Sequence, residues 1–537
     1  MPARRRRRRG LGRHRRRRRR PLHATAAGEI RVTHVPVAVV GAGPTGVAAA
    51  TLLAQYGVEV LVLDRWTAVY PQPRAVHLDD EVCRIIARLG VADQFMAVSR
   101  PGLGLRLLDR DLTVLAEFRR DPRHSPNGFP QANMFDQPEL ETLLRANLAR
   151  HPRAQLLGGV EVVEVVAGTV GPARITAVDR TDGRRHVITA DYVLGCDGAN
   201  SLVRAAIGSA MRDLKFEQRW LVVDVATAED LRQWEGVHQV CDPDRAATYM
   251  RIGDTRYRWE FRLRTGESAA DYQSLAALRP LIEPWTAGVP DHELDVLRVT
   301  EYTFRAQIAD RWRRGNAFLL GDAAHLTPPF VGQGLGAGLR DAMNLAWKLA
   351  GVLTDTLPRG VLDTYEQERK PHARHMIGLA LNVGRAMTAG GELGSLARRA
   401  IVPRLHRIPA IGAKLLDSQT PRLHRSPLVR RKVRGLGGRL CPNPVVSEGQ
   451  RLDSVLGIGF AVVSATPLSA ADAALAERAG AVVHVAEAGG EVAEWLRRGR
   501  VTVAVVRPDR TVMCAGRDTA ALFESLPASR STAGRTR

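Results

Sequence analysis

Three aspartates stand at the ends of predicted strands, two of them beside a glycine. Asp64 closes the predicted strand 58–63, Asp197 follows 192–196 and precedes Gly198, and Asp322 follows the apolar run 317–320 and Gly321. A carboxylate at the end of a buried strand, beside backbone that carries no side chain, can accept hydrogen bonds from the hydroxyls of a ribose or a polyol. Just after the apolar residues 35–40, Gly41-Ala42-Gly43-Pro44-Thr45-Gly46 completes a G-x-G-x-x-G pattern. In such a turn the first glycine permits the bend, the second lets backbone approach a pyrophosphate, and the third allows a helix to pack closely on a strand. Asp64 lies twenty-one residues beyond Gly43, where an acid takes the ribose of an adenosine. After Asp322, the glycine-rich residues 332–338 open a pattern with Leu339, Ala342, Met343, Ala346, Leu349, Ala350 and Leu353 at helical spacing. That order puts free N–H groups and the positive end of a helix beside a carboxylate, a place to hold a hydroxyl-bearing, partly anionic ligand.

The elements that must hold these groups follow from local pattern. An alanine-rich helix over 47–56 is stopped by Gly57, and a second helix over 81–89 carries Val82, Ile85, Ile86 and Leu89. Arg74, ahead of it, offers its planar fork to a phosphate or a ribityl oxygen, or is a surface arginine. At Asp136-Gln137-Pro138-Glu139 the spacing predicts a helix start capped by Asp136, with Pro138 in the first turn and Gln137 facing solvent or ligand. Short strands are predicted at 160–166, 174–178, 187–190 and 192–196. Cys196, inside an apolar run, reads as a small core residue rather than a nucleophile. Residues 205–305 change character, with strands at 220–225, 246–252 and 256–264. In the last, Tyr257, Trp259 and Phe261 alternate with Arg256, Arg258, Glu260 and Arg262, so one face is aromatic and the other charged. The aromatic face suits a ring-shaped substrate or packs on ordinary core. Beyond 442 a separate α/β unit is predicted, with strands at 460–464, 482–486 and 501–506, a helix at 470–479 and a hairpin partner at 511–514.

A chain of 537 residues, 45% of them hydrophobic, is too long for one core, and two or three domains are expected. No apolar run is long enough to span a membrane. The five cysteines show neither C-x-x-C nor zinc-ligand spacing, which suits a reduced cytoplasmic setting without metal. The net charge of +22 is concentrated: thirteen arginines and no acid lie in residues 1–20, leaving +9 for the rest. Such a block is a solvated, disordered tail or an arm for any polyanion, with no specific nucleic-acid partner. Its twin arginines are not followed by the apolar segment of an export signal.

GAGPTG at 41–46, CDGANSLVR at 196–204 and GDAAHLTPP at 321–329, in this order, resemble the FAD-dependent aromatic hydroxylases, the single-component flavoprotein monooxygenases. PQPRAVHLDDE (71–81), QRWLVVDVA (218–226), VCDPDR (240–245) and RWEFRLRTGE (258–267) most resemble those acting on 3-(3-hydroxyphenyl)propionate or 3-hydroxycinnamate; polyketide and anthracycline hydroxylases share less of them. The resemblance implies an α/β fold: a Rossmann-like FAD-binding domain (31–204 and 300–370), an antiparallel β-sheet substrate domain (205–299), a helical connection (371–441) and a thioredoxin-like domain (442–525) without redox cysteines, behind the tail 1–30. It implies FAD, with NADH or NADPH as co-substrate, and a small aromatic substrate that O₂ hydroxylates ortho to a phenolic hydroxyl through a flavin C4a-hydroperoxide. A homo-oligomer is left open.

The resemblance also implies roles for residues. Gly41, Gly43, Pro44, Thr45 and Gly46 meet the pyrophosphate; Asp64, with Arg65 beside it, meets the adenosine; Arg74 and Gln137 lie along the ribityl–pyrophosphate chain. Asp197 belongs to the motif shared by FAD and nicotinamide contact, and Gly321-Asp322 holds a ribityl hydroxyl. Pro329, Gly332, Gly334, Leu335 and Gly336 border the pyrimidine edge of the flavin, where N–H groups stabilise negative charge. Family members commonly carry asparagine at the position of Gly336, so Gly336→Asn is expected to be tolerated and to tighten FAD. No catalytic residue is assigned; His77, Tyr249 and Tyr302 are candidates to polarise the phenol, and Arg258 or Arg262 to hold a substrate carboxylate.

Overall fold

The computed structural model describes residues 34–70, 74–123, 125–169, 171–388, 420–430, 435–447, 449–523 and 526. The arginine tail and much of the predicted helical connection lie outside them.

Residues 60–63 of the strand Val60–Asp64 are at most 1% exposed, which is why they read as an unbroken apolar run: both faces of a parallel strand are covered. That strand pairs in parallel with His34–Val40 and Ala154–Gly158; His34–Val40 pairs in parallel with Arg185–Gly195, and this in turn with Ala317–Leu319. All five strands therefore end on one edge of the sheet. Val40 is level with Leu63 and with Gly195, and Gly195 with Leu319, so the turns carrying Gly41, Asp64, Asp197 and Asp322 meet side by side. Strands predicted separately at 187–190 and 192–196 are one long strand, Arg185–Gly195, whose first half pairs with Ala173–Asp179 and second half with the parallel core.

The helix Pro44–Gln55 packs on this sheet, and the helix Gly334–Leu353 packs against that helix. Their contact is close because Thr45 sits over two glycines: a Cβ on Gly338 would come 2.1 Å from Thr45 Oγ1, and one on Gly321 2.9 Å from it.

A second sheet runs in the order His325–Leu326, Asp295–Ala309, Met211–Ala226, Arg256–Arg262, Ala247–Arg251, Val237–Val240, Gly104–Leu108, Val114–Arg119. The division at 204/205 and 299/300 is therefore not how the sheets divide. The hairpin 104–119 belongs to the second sheet, through parallel pairing with Val237–Val240, and Asp295–Ala309 crosses residue 300. A pairing across some 130 residues leaves no local signal. Likewise the helix Asp363–Thr388 continues through Pro371, so no element ends at 370.

The C-terminal unit is a four-stranded sheet in the order Val482–Val485, Ala461–Ser464, Val503–Val506, Val512–Gly516, with helices Ala470–Arg478 and Glu491–Arg498. A buried ion cluster fastens it to the first domain. Glu368 accepts from Arg507 Nη1 at 3.0 Å and Nη2 at 2.9 Å, from Lys348 Nζ at 2.9 Å and from Asn344 Nδ2 at 2.9 Å. Burial acts to raise its pKa, but Arg507 and Lys348 hold it far below the usual carboxylate range. Burial holds the Lys348 ammonium down at about 8.

Candidate active site

The first turn leaves room for a phosphate. Gly41 has φ +101°, and a Cβ there would lie 2.4 Å from the Cys196 carbonyl oxygen; a Cβ on Gly46 would lie 2.0 Å from the Gly41 oxygen. Gly43 differs: its Cβ position is open space. The helix that follows has Pro44 in its first turn, no side-chain cap and no acid there, so its leading N–H groups are free to meet an anion. The carboxylate of Asp64 is fixed at this edge by Ala42 N at 2.5 Å and Trp66 N at 2.7 Å, with lone pairs left for a ribose. Thr45 turns instead toward Gly321 and Gly338, and exposed Arg65 stacks on Trp66.

Asp322 lies on the floor of a cleft, 41% accessible yet surrounded by protein, which lifts its carboxyl above the ordinary value against the pull of Arg74 and His325. Arg74 Nη1 is 3.7 Å away. Its backbone N–H and that of Ala75 donate to Gln137 Oε1 at 2.9 and 2.7 Å. Gln137 thus faces neither solvent nor an open ligand site; it anchors the Arg74 segment, and its amide nitrogen goes to Glu141 at 2.7 Å. The predicted Asp136 cap is also not formed, because its carboxylate pairs with Arg256 of the second sheet.

Asp197 spends its carboxylate on the next helix, accepting from Ser201 Oγ at 2.5 Å and Val203 N at 3.0 Å. It shapes the turn rather than offering a side chain. Arg204, unassigned from sequence, ties this turn to the next through the Ala323 oxygen at 3.1 Å and the Ala199 oxygen at 2.7 Å. Cys196 is held well above the ordinary thiol range by burial, which fits its reading as core.

The loop Pro329–Val331 leads through Gly332, at φ +62°, into the helix Gly334–Leu353. That helix has no side-chain cap and no first-turn acid, and the Cβ position of Gly334 is open. Leu335 is half-buried against the core. Gly336 is different. Its Cβ position lies 2.9 Å from both Arg340 Nη1, of its own helix, and Val82 Cγ2, of the helix Asp80–Leu89, so the place of a side chain is taken by these two rather than left open toward a flavin. Packing stands against the expectation that asparagine fits here. Arg340 is committed to Asp79 at 2.6 Å and Glu81 at 2.7 Å. Its neighbour Asp341 accepts from Gly321 N at 3.1 Å and pairs with His325 Nε2 at 2.8 Å and Arg369 Nε at 2.8 Å. This buried scaffold went unread in sequence; its only trace is the Arg340-Asp341 pair interrupting an apolar helix.

The sheet that faces this loop presents its charged side to it. Gln239 Nε2 donates to the Phe330 oxygen at 3.1 Å, Trp220 packs edge-on to Phe330 with centroids 5.8 Å apart, and Arg258 Nη1 reaches the Arg74 oxygen at 3.2 Å. The aromatic side, with Tyr249, Tyr257, Trp259 and Phe261, packs away from the cleft against Leu278, Ile282 and Trp285 of the helix Leu275–Thr286. Tyr249 is thereby removed as a phenol partner; burial pushes its hydroxyl far above the usual range. Arg258 is 1% exposed and grips Asp224 with two bonds, 2.6 and 3.0 Å. Arg262 donates to the Pro243 and Asp244 carbonyl oxygens. Neither is held ready for a substrate carboxylate. Tyr302 is on the cleft side, paired in register with Trp220 and 3.4 Å from Arg298 Nη1. His77 lies against Gly332, whose Cβ would come 2.8 Å from Nδ1; burial and then Arg120 hold the imidazole down at about 4, so it is neutral at pH 7.

The donor set fits FAD: open glycine positions at Gly43 and Gly334, two uncapped helix starts, and the carboxylates of Asp64 and Asp322 spaced along one edge. Comparison with known proteins agrees. Residues 34–380 match the model of the FAD binding domain family, and 438–528 match the HcaD C-terminal domain. The chain is 32% identical to a probable NADH-specific resorcinol 4-hydroxylase of Rhodococcus jostii (strain RHA1), over 91% of this chain and 93% of that one. It is 33% identical to a 3-(3-hydroxy-phenyl)propionate/3-hydroxycinnamic acid hydroxylase of Burkholderia cenocepacia (strain HI2424), over 89% and 93%. Among solved structures, the flavin-dependent monooxygenase PieE in complex with FAD and substrate superposes with a TM-score of 0.76 at 23% identity, covering 92% of this chain and 98% of that one, a likeness of fold. The chain belongs to the FAD-dependent aromatic hydroxylases, enzymes that take reducing equivalents from a nicotinamide cofactor.

Proposed function

We propose that this enzyme places one oxygen atom of O₂ ortho to the hydroxyl of a single-ring phenol that carries a second substituent meta to it, with NADH or NADPH as reductant. Relatives named for resorcinol, 3-(3-hydroxyphenyl)propionate and 3-hydroxycinnamate all fit that description. The observation that carries the reading is the direct junction between the Pro329–Val331 loop and the polar side of the second sheet, through Gln239 and Trp220. It sets a substrate face against the turn that leads into the uncapped helix. Bound FAD supplies the redox and oxygen chemistry. Asp64 and the Gly41–Gly46 turn hold its adenosine and pyrophosphate end, Asp322 with Arg74 its polyol, and the N–H groups at Gly334 and Leu335 meet negative charge on the ring. Trp220, Phe304 and Phe330 close the junction with aromatic carbon, which keeps water from the reacting atoms.

Among the described residues all five cysteines are free and no helix is long and apolar enough to cross a membrane, in keeping with a cytoplasmic enzyme. A polyketide or anthracycline substrate fits less well, because the structural likeness to aklavinone-11 hydroxylase comes at 23% identity. The test is the purified holoenzyme assayed for NADH and NADPH oxidation with phenol, resorcinol, 3-(3-hydroxyphenyl)propionate and 3-hydroxycinnamate, with products identified. Failure of every phenol to stimulate oxidation overturns the proposal. Removing residues 1–30 is expected to leave flavin content and turnover unchanged; loss of both would favour an essential polyanion-binding arm.

A further inference from the structure

One row of side chains crosses the second sheet at right angles to its strands, on the side that faces the Pro329–Val331 loop. Register aligns Thr300 with Val222, Val222 with Glu260, Glu260 with Thr248, and Thr248 with Gln239. The last three are buried, at 8%, 7% and 3% exposure. Yet Glu260 makes no hydrogen bond or ion pair among the described residues, and Gln239 Oε1 is buried with no partner although its amide nitrogen is bound to the Phe330 oxygen. A buried carboxylate or amide oxygen without a donor costs free energy. Here the unpartnered Gln239 oxygen and the Glu260 carboxylate flank one threonine, on strands about 9.5 Å apart, beside the loop that borders the flavin. In the row below, Arg258 and Arg298 both lie against Asp224, at 2.6 and 2.7 Å. In the row above, Arg262 is spent on carbonyl oxygens.

We propose that Glu260, Thr248 and Gln239 form the polar subsite of the substrate, and that it takes a neutral ring bearing two hydroxyls, with Glu260 accepting the hydrogen bond of the hydroxyl ortho to the reacting carbon. This rests on the reading that the enzyme hydroxylates a phenol, and it narrows the substrate class. Two acceptors call for two donors, and the row itself carries no cation to receive a carboxylate. A substrate acid would also meet Glu260, of like charge. A carboxylate beside the phenolic oxygen raises electron density at the ortho carbon, which is the one attacked by electrophilic oxygen. Burial lifts the Glu260 carboxyl above its ordinary value, against Arg258 and Arg298 and with Asp224. The charged and titratable groups on this face are Arg258 and Arg262 on its own strand, Asp224 on the next and Arg298 and Tyr302 on the one beyond; from the first domain, Asp136 approaches through Arg256.

The experiment compares wild type, Glu260→Gln and Glu260→Asp as holoenzymes. The substrates are resorcinol and 3-(3-hydroxyphenyl)propionate, and the readouts are kcat/KM against pH, coupling of product to NADH, and Kd from perturbation of the flavin absorbance. Wild type is expected to prefer resorcinol by at least about tenfold, with an acidic limb in kcat/KM above the ordinary glutamate range. Glu260→Gln should lower kcat/KM for resorcinol by about 10- to 100-fold, the worth of a charge-assisted hydrogen bond, and abolish the limb while FAD content stays unchanged. Glu260→Asp should restore part of the rate and the limb. Preference for the acid, or an unchanged profile in Glu260→Gln with FAD retained, overturns the inference and leaves phenol hydroxylation standing. No response to any phenol overturns the functional reading itself. If Glu260→Gln loses FAD, Glu260→Asp and Thr248→Val decide: both matching wild type in Kd and pH profile overturns the subsite.

Discussion

Replacing Gly336 by asparagine puts a Cβ 2.9 Å from Arg340 Nη1 and from Val82 Cγ2, inside van der Waals contact on two sides. Val82 is 1% exposed on a helix that cannot retreat without disturbing the core. Arg340 has a flexible end, but that end is held by Asp79 and Glu81. Overpacking of this kind costs about 1–3 kcal/mol, and a buried ion pair broken on one side costs about 3–5 kcal/mol. Replacing a helical glycine returns less than about 1 kcal/mol. The net expectation is a loss of about 2–5 kcal/mol, with weaker FAD retention because Arg340 and Gly336 share the helical turn that follows the Pro329–Val331 loop. Thermal unfolding followed by circular dichroism, with the release of flavin fluorescence read in the same scan, measures both. Gly336→Ala should show a smaller loss, since only the first atom of the side chain is added. A Gly336→Asn protein that melts at the wild-type temperature and keeps its FAD would refute the reasoning and return this glycine to the flavin's edge.

Two glycines of the phosphate turn should separate folding from binding. Gly41→Ala drives a Cβ into the Cys196 carbonyl at positive φ, so the apoprotein itself should lose stability. Gly43→Val adds carbon only to open space, so the apoprotein should melt as wild type while the ratio of bound flavin to protein falls; equal flavin loading would count against the turn as the pyrophosphate site. Glu368→Gln leaves Arg507 and Lys348 buried with a weakened counter-charge and should cost about 3–5 kcal/mol at neutral pH. Because the folded pKa of Glu368 is depressed, its contribution is present above the unfolded value of about 4.3 and fades as pH falls toward the folded one. The melting temperature of the variant should therefore decline less steeply in acid than that of wild type; equal slopes below pH ~4.3 would exclude Glu368 as a source.

The acid-and-glycine turns were legible because each lies at the end of a strand whose apolar run is continuous, and parallel pairing then brings them together. What stayed hidden was which partner each side chain had already taken. Gln137, Asp136 and Asp197 have the residue types of ligand contacts, yet their bonds go to Arg74, Arg256 and Ser201. In the strand Arg256–Arg262 alternation reveals two faces, but nearly the whole strand is buried, so the pattern cannot say which face meets the cleft. Helix packing on the aromatic side decided it. Glu260 sits in that same alternation and was passed over, because a lone glutamate on a strand reads as a solvent-facing residue until its burial is seen.

The clamp of Thr45 between Gly321 and Gly338 has a consequence for how the protein is made. The two halves of the contact are separated by 293 residues, from Thr45 to Gly338. At a ribosomal rate of about 5–20 residues per second, the phosphate turn leaves the ribosome about 15–60 s before the helix that locks it in place. The central strand His34–Val40 likewise waits for Arg185–Gly195 before it is covered on both edges. The contact therefore closes only after the entire second sheet has been synthesised, once the helix Gly334–Leu353 has emerged.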